Sequence, residues 1–394
     1  MPTKNSKNNL YGELEKAVLR ADYDTVKKAS QQVTKADRGR ALLKGIYAAL
    51  YVSGESSSSF IAASKIGFVD NYLRVMEVLA DDGATFDKRD VAFENNSNPL
   101  ALLAQIYGNV DKNIYLHATK MALEHGDKTL AGAKKFRDSF ISETERRISA
   151  IASRIIEENG RYLLGIEDRN GKIPLMEAFE VGAFGYASLL ISKNKSSLYN
   201  ADYEGNYSIM YMLRGVKKEL QLSERFLESA IDYGIGHGLK ADKEDIEREK
   251  ARARETIATD FKKFYFVVLD KYREKGINDT TNIYGINAIM EAIQSGIPGI
   301  VENTYSTFMK SSKSPYVLPN ELSMACLAGN VEAVEFLLRK GYKPGVKYGD
   351  YLTPYQAARH FLLLTKNIMV YNRMIELLEN GENIYKGQYL KLLR

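Results

Sequence analysis

Few residues of the chain are of the types that bind metals or act as nucleophiles. The histidines are His117, His125, His237 and His360, and the one cysteine is Cys326. No two histidines have the HExxH spacing, and a single cysteine gives neither a zinc-binding thiolate pair nor a disulfide within the chain. We therefore predict no metal, no cofactor and no small-molecule ligand.

Cys326 is the one thiol that could act as a nucleophile. It stands at a small-residue position of a short predicted helix, where a packed core thiol is the simpler interpretation. A reactive pair with His360 would need the thiol and the imidazole within hydrogen-bonding distance. We predict that Cys326 belongs to the core and that the chain has no catalytic residue.

Paired carboxylates and glycine-rich loops are the other features that could carry chemistry. Glu177 and Glu180 share a helix face and could form an acid–base couple, although contact with a partner explains them more simply. The segments "GIEDRNGK" (165–172) and "GIGHG" (234–238) have the glycines of a phosphate loop but lack its GK[ST] ending. We interpret them as a hairpin and a helix exit, which leaves no enzyme signature.

Composition describes an ordinary globular chain of 394 residues, 45% hydrophobic and 27% charged. The net charge of +5 has no long block of one sign, and the aromatic spacing of "FKKFYF" (261–266) fits a buried helix side, so nucleic acid is disfavoured as a partner. The start, "MPTKNSKNNL", has no apolar region typical of a secretory signal. Apolar runs such as "FYFVVL" (264–269) are too short to span a membrane, so we expect a cytoplasmic protein without a membrane span.

A recurring sequence frame organises most of the chain. It reads apolar–x–x–small–small–x–x–Gly, followed by a second helix and another glycine. Eight units begin at Leu14, Phe60, Leu100, Leu175, Ile209, Ile289, Leu322 and Tyr355. The last three are spaced by 33 residues, and Leu175 and Ile209 by 34. Such a period predicts stacked supersecondary units.

The frame predicts two antiparallel helices in each unit. Glycines break the first helix at Gly182, Gly296 and Gly329, where a tight turn needs a positive φ. A second set of glycines is predicted to cap the second helix: Gly83, Gly126, Gly341 and Gly381. One such unit cannot bury its own apolar face, so copies must stack on one another.

Several segments carry a resemblance to the ankyrin repeat. They are "DRNGKIPLMEAFEVG", "DYEGNYSIMYML", "NIYGINAIMEAIQSG", "GDYLTPYQAA" and "GATFD". Each sets Asp, Asn or Gly before a helix start, which is similar to the ankyrin β-hairpin and its first helix. The resemblance implies an all-α fold, an ankyrin-like helical repeat solenoid with elongated or inserted helices.

Parts of the chain depart from the repeat spacing. The apolar spacing of 133–159 predicts one long amphipathic helix, and 34–52 predicts an additional helix. The segment 240–276 reads as a charged helix broken near Thr259 and then a repeat-like helix. We therefore divide the chain into irregular ankyrin-like repeats at 1–131, a long helical insert at 132–160, and ankyrin-like repeats at 161–394 with a helical insert near 240–260.

The resemblance implies a non-catalytic scaffold that binds a protein through a concave repeat face. Chains of this irregular kind are similar to effectors that intracellular bacteria deliver into host cells, which implies a host protein as partner and release into the host cytosol by a non-classical system. The predicted contact residues are Arg169, Asn170, Glu177, Glu180, Tyr203, Glu204, Tyr284, Glu291, Gln294, Tyr348, Tyr351, Gln356 and Arg359. The tyrosines have an alternative role, which is to brace the hairpins.

Two other functions stay open at this point. An enzyme would need polar groups from several segments to converge in a pocket, with the inserts at 133–159 or 240–276 as its expected place. A nucleic-acid-binding or phage-type regulatory protein would bind with a steep salt dependence.

Overall fold

The computed structural model of the chain consists of helices joined by turns and loops in the residues that it describes. These residues are 4–54, 60–86, 98–238, 242–277, 280–308, 321–345 and 352–392. They contain sixteen α-helices and two short 3-10 turns and no β-strand, which confirms the predicted all-α class for this part of the chain. The described chain forms two compact units, the first made of Met1–Asp202 and Lys218–Ile257 and the second of Tyr203–Lys217 and Ala258–Arg394.

The first unit contains the eight helices that come first in the chain. They are α1 (Lys4–Leu19), α2 (Tyr23–Ser30), α3 (Lys35–Gly54), α4 (Phe60–Asp81), α5 (Pro99–Glu124), α6 (Leu130–Asn159), α7 (Pro174–Glu180) and α8 (Phe184–Lys193). Helices α3 to α6 pack against one another, α1 and α2 cover α3 and α4, and α7 and α8 pack on α5 and α6. Large side chains such as Leu42, Ile46, Leu73 and Met76 are at most 1% exposed and form the core between the long helices.

Two long helices have residues in both units. They are α9 (Ser208–Gly236) and α10 (Lys243–Lys275). The first turns of α9 belong to the second unit and the remainder to the first, whereas α10 starts in the first unit and ends in the second.

The second unit is built of three further helix pairs. They are α11 (Ala288–Ser295) with α12 (Ile300–Phe308), α13 (Glu321–Leu327) with α14 (Val331–Arg339), and α15 (Pro354–Thr365) with α16 (Ile368–Leu392). The first helices pack in the order α11, α13, α15, and the second helices in the order α12, α14, α16. Each pair therefore buries its apolar side against the next, as stacked repeat units do.

Side-chain caps fix where these helices begin. Asn287 accepts a hydrogen bond from the backbone N–H of Met290 at 3.0 Å at the start of α11, and Asn330 does the same for Ala333 at the start of α14. Thr353 and Gln356 form a reciprocal capping box at the start of α15. Each cap satisfies backbone donors that a helix start otherwise leaves unpaired.

The helix–turn–helix prediction is confirmed for some units and wrong for others. Turns with positive φ at Gly182, Gly296 and Gly329 separate the predicted pairs. The units predicted to start at Phe60, Leu100 and Ile209 are instead single uninterrupted helices, α4, α5 and α9. In α5 the reason is packing: a Cβ on Gly108 would lie 2.7 Å from the Cβ of Val181, so the glycine allows a close approach rather than a turn.

Some predictions for the irregular segments are confirmed and others are wrong. The long helix predicted at 133–159 is confirmed by α6, and the additional helix at 34–52 by α3. The break predicted near Thr259 is wrong, because α10 continues through it. Gly381 does not end a helix, since α16 runs past it. The division of the chain at 131 and 160 stays a prediction.

Candidate functional site

Two turns of the second unit, at 203–204 and 283–284, lie side by side, and we call them the hairpin tips. The backbone N–H of Ile283 donates to the carbonyl of Glu204 at 2.8 Å, and the Tyr284 hydroxyl donates to Oε1 of Glu204 at 3.3 Å. Tyr203 and Tyr284 are 61% and 57% exposed. The tips therefore present two large aromatic rings to solvent on a hydrogen-bonded base.

Buried asparagines hold these tips in place. Asn282 is 6% exposed, and its Oδ1 accepts from the backbone N–H groups of Tyr284 and Ile286 at 3.0 and 2.9 Å. Its Nδ2 donates to Oδ1 of Asn206, which is 1% exposed, at 2.8 Å. The Arg214 guanidinium donates to the same oxygen at 2.9 Å. Because side-chain amides replace backbone partners here, the tips keep one conformation without a β-sheet.

Glu291 was predicted to point outward, and this prediction is wrong. Its side chain is 7% exposed and forms an ion pair with Arg214, with Nε 2.7 Å from Oε1. Arg214 lies on α9, 77 residues earlier in the sequence. Its guanidinium connects Glu291 to Asn206, so Glu291 stabilises the base of the tips and is not part of their exposed surface.

The remaining predicted residues of the second unit are more accessible. Gln294 is half-buried and bridges three helices, since Oε1 accepts from Lys217 Nζ at 3.2 Å and Nε2 lies 3.6 Å from Met324 Sδ. Gln356 and Arg359 are exposed on α15. Gln356 also caps that helix through Thr353, so it is partly committed to structure. Tyr348 and Tyr351 lie outside the described residues.

The other predicted residues belong to the first unit. Arg169 and Asn170 are exposed at a turn in which Asp168 Oδ1 accepts from the backbone N–H of Asn170 at 2.8 Å and of Lys172 at 2.9 Å. Glu177 and Glu180 are half-buried on α7. The thirteen predicted residues thus fall in two separate units or outside the described chain.

Glu177 and Glu180 have carboxyl groups with different environments. Burial raises the pKa of Glu177. Burial also acts on Glu180, but its ion pairs with Lys172 Nζ at 2.6 Å and Lys218 Nζ at 3.1 Å outweigh it and lower the pKa. Two lysines therefore hold Glu180 in its charged form, as in a structural ion pair.

A buried charged cluster joins α5, α6 and α9 in the first unit. Arg137 NH2 lies 2.7 Å from Asp111 Oδ1 and 3.6 Å from Glu219 Oε1, while NH1 lies 3.0 Å from Asp138 Oδ1. The side chains of Arg137, Asp111 and Glu219 are 8%, 0% and 15% exposed. Sequence reasoning missed this cluster because its members are far apart in the chain and each sits among other charged residues.

Two carboxyl groups share one guanidinium in this cluster. Burial and the neighbouring Asp111 raise the pKa of Glu219 to about 8, although Arg137 opposes the rise. Burial also raises the pKa of Asp111, which Arg137 and a hydrogen bond with Glu219 counteract. Asp111 Oδ2 and Glu219 Oε2 are buried and accept no hydrogen bond from the described residues. A proton on Glu219 makes its carboxyl group a donor toward Asp111 and removes one charge from the interior.

A shallow groove of about 670 Å³ lies where α6 faces α10 in the first unit. Its charged lining consists of Lys134, Lys135, Asp138, Glu249, Arg252 and Glu255. Acidic and basic groups alternate in it, and it contains neither histidine nor cysteine. Such a mixture of charges is typical of a solvated contact between two helices. A site for one kind of substrate would instead bring together polar groups suited to that substrate.

Cys326 is a core residue, as predicted. It is 0% exposed, and burial raises the pKa of its thiol to about 12, so the thiol stays protonated at neutral pH. His360 lies on the exposed side of α15. Within the described residues, no group of three or more His, Cys, Asp or Glu side chains could hold a metal ion.

Comparison with known proteins returned no match: no family model and no curated protein matches the chain. Every helix in the described part of the chain is too short or too polar to cross a bilayer.

Proposed function

We propose that the chain is a non-catalytic protein-interaction module of ankyrin-like repeats. Its second unit binds a protein through the hairpin tips and the exposed side of the first helices. The observation that carries this proposal is the pair of tips at Tyr203 and Tyr284, where exposed aromatic rings stand on a hydrogen-bonded network of the buried Asn206 and Asn282 and the half-buried Arg214. Preorganised aromatic side chains lose little entropy on binding and are typical hot spots of protein interfaces.

The stacked helix pairs support the ankyrin-like part of the proposal. Three first helices pack in sequence and three second helices pack in the same order, at the 33-residue period found in the sequence. Repeat proteins of this construction offer an extended surface built from equivalent positions of successive units. Gln294, Gln356 and Arg359 stand on the first helices and extend the surface beyond the tips.

The cellular setting is proposed from the sequence resemblance alone. A chain similar to ankyrin effectors of intracellular bacteria acts in the host cytosol and has a host protein as its partner. Affinity capture from a eukaryotic lysate, followed by mass spectrometry, identifies that partner. A partner captured by the wild-type chain then serves for the binding measurements.

The variants Tyr203→Ala and Tyr284→Ala test the surface. We expect each to weaken the captured partner's binding roughly thirtyfold, which corresponds to the roughly 2 kcal/mol typical of a hot spot. Tyr284→Phe separates the two roles of this residue, because it keeps the ring and removes the hydroxyl that donates to Glu204. Matched controls are Tyr47→Ala and Tyr51→Ala on α3, whose side chains are 44% and 68% exposed.

Melting curves distinguish contact from bracing. A contact role leaves the melting temperature of Tyr203→Ala and Tyr284→Ala almost unchanged while the dissociation constant rises. If both variants melt early and bind the partner at full strength, the tyrosines only brace the hairpins and the proposed surface is wrong.

A further inference from the structure

A run of exposed apolar side chains lies at the turn between α15 and α16. Every residue from Leu363 to Met369 is exposed, and we call this segment the apolar tip. Leu363, Leu364, Ile368 and Met369 are 68%, 69%, 63% and 85% exposed. Single exposed apolar residues are common, but four large ones within seven residues mark a surface that contacts another molecule.

The apolar tip extends beyond the preceding helix pair. Helix α13 ends at Leu327, whose counterpart 33 residues later is His360, yet α15 continues for five more residues to Thr365. At 1.5 Å per residue the extension measures roughly 7 Å.

The extension is anchored and has a defined conformation. The ring of Phe361 occupies the space beside Gly329, where a Cβ would lie 2.3 Å from Phe361 Cε2. Lys366 ends α15 in the left-handed conformation, and its N–H donates to the carbonyl of Leu362 at 2.8 Å. Asn367 then caps α16 by accepting from the N–H of Val370 at 3.2 Å. The apolar side chains are therefore exposed on an ordered turn.

The charged side chains of the segment that contains the apolar tip have one sign. The chain from 352 to 375 contains Arg359, Lys366 and Arg373 and no acidic residue. Arg373 is paired with Glu376 at 2.7 Å, which leaves Arg359, before the tip, and Lys366, within it, as the other basic groups. On the adjacent α14, Glu332 accepts a hydrogen bond from the backbone N–H of Gly299. Glu332 and Glu335 are exposed carboxylates of α14, so the excess of basic groups belongs to the segment 352–375 itself.

We propose that the apolar tip inserts into the surface of a lipid bilayer that carries anionic headgroups. Interfacial elements reach about 5–10 Å into the boundary of headgroups and acyl chains, a depth that the roughly 7 Å extension matches. Arg359 and Lys366 then lie at headgroup level, where each basic residue favours binding to anionic lipid. A stable protein interface takes roughly 20–30 residues a side, far more than this tip provides.

The contact is weak and reversible. One acyl chain alone gives a partition constant on the order of 10⁴ M⁻¹, and stable anchoring takes a second signal. The tip therefore brings the chain transiently to a membrane surface. This inference does not rest on the proposed protein-binding surface: the two share Arg359, but the four apolar side chains that carry the inference belong to the apolar tip alone.

Vesicle co-sedimentation of the full chain tests the proposal. Phosphatidylcholine vesicles are used with and without about one third phosphatidylserine. We expect binding to the anionic vesicles that weakens with added salt, and at least a roughly tenfold loss of binding in the double variant Leu363→Ser with Met369→Ser. Both side chains are exposed, so the double variant should keep the wild-type melting temperature. The control is the double variant Ile235→Ser with Val267→Ser, in which both native side chains are 59% exposed.

Three results would overturn the proposal. The first is that the wild-type chain stays in the supernatant with both vesicle types, and the second is that the tip variant sediments as well as the wild type. The third result is a dimer, detected by light scattering, that the tip variant abolishes. Such a dimer would assign the tip to a second copy of the chain.

Discussion

The carboxyl group of Glu219 makes the stability of the first unit depend on pH. Its pKa is about 8 in the folded chain, because burial and Asp111 favour the protonated form more than Arg137 opposes it. The ordinary value is 4.5, so the folded state holds the proton more tightly than the unfolded state. This contribution to stability is complete below about pH 4.5 and is lost as the pH rises through 8.

We predict that the free energy of unfolding falls by a few kcal/mol across this window in the wild-type chain, at no more than about 1.4 kcal/mol per pH unit from this group. Glu219→Gln cannot ionise and should flatten that part of the profile. Denaturant unfolding at a series of pH values measures both. Glu228→Gln is the control, because Glu228 is on the same helix and its side chain is 61% exposed. Equal pH profiles for wild type and Glu219→Gln would contradict the assignment.

The sequence predicts which residues face outward better than it predicts the partners that surround a residue. Exposure at Arg169, Tyr203 and Tyr284 agrees with the outward positions predicted from the repeat frame. Glu291 occupies an equivalent outward position of the frame, but Arg214 lies 2.7 Å from it and the carboxylate is buried. A partner 77 residues away leaves no local signal, so burial of this carboxylate depended on the tertiary fold.

At the scale of the helix, glycine had two roles that the sequence frame did not distinguish. A glycine inside a helix costs about 1 kcal/mol relative to alanine, so one that persists there needs a packing reason. Gly108 in α5 has one, since a Cβ would meet Val181 at 2.7 Å. Gly12 in α1 has none, because nothing lies within 4 Å of its Cβ position.

We therefore predict opposite effects for the same substitution. Gly12→Ala should stabilise the chain by up to about 1 kcal/mol through helix propensity. Gly108→Ala should destabilise it by about 1–3 kcal/mol, because the added methyl group overpacks the contact of α5 with Val181. Chemical denaturation of both variants measures the difference. A stabilised Gly108→Ala would show that Val181 moves aside at no cost.

The turn at Gly329 combines two requirements. Its φ of +66° is costly for a residue with a side chain, and an added Cβ would lie 2.3 Å from the Phe361 ring. Gly296 has an equivalent φ of +68° with nothing within 4 Å. Gly296→Ala should therefore cost about 1–2 kcal/mol, and Gly329→Ala about 1–3 kcal/mol more. Equal losses in thermal melts would mean that Phe361 does not pack on the turn.

The sequence predicts a helix where the apolar periodicity extends over many residues. It does not predict where a helix ends when tertiary packing determines that end. The apolar spacing at 133–159 gave α6 to within a few residues. The frame at Phe60 and Leu100 resembles the frame at Ile289, yet it lies within the continuous helices α4 and α5. Since a continued helix and a turn bury similar apolar residues, the choice depends on neighbours that the local sequence does not name.

At the scale of the whole molecule, sequence segments of the two units alternate along the chain. The first unit contains 218–257, and the second contains 203–217, so neither unit is one continuous stretch of sequence. A single cut at 257 would leave residues 258–394 without the segment that carries Asn206 and Arg214. Both residues have partners on the far side of that cut, Asn282 and Glu291.

This arrangement predicts unequal stability for two fragments of the second unit. Residues 258–394 alone lack the guanidinium that pairs with Glu291, the amide that pairs with Asn282, and buried apolar side chains such as Met210 and Leu213. Residues 203–394 retain these groups and should melt at a clearly higher temperature, as followed by far-ultraviolet circular dichroism. Arg214→Met should lower the melting temperature of the longer fragment more than Lys217→Met, because Lys217 reaches only the neutral Gln294 among the described residues at 3.2 Å. If the two fragments melt together, the segment 203–217 is not part of the second unit's cooperative fold, and its assignment to that unit fails.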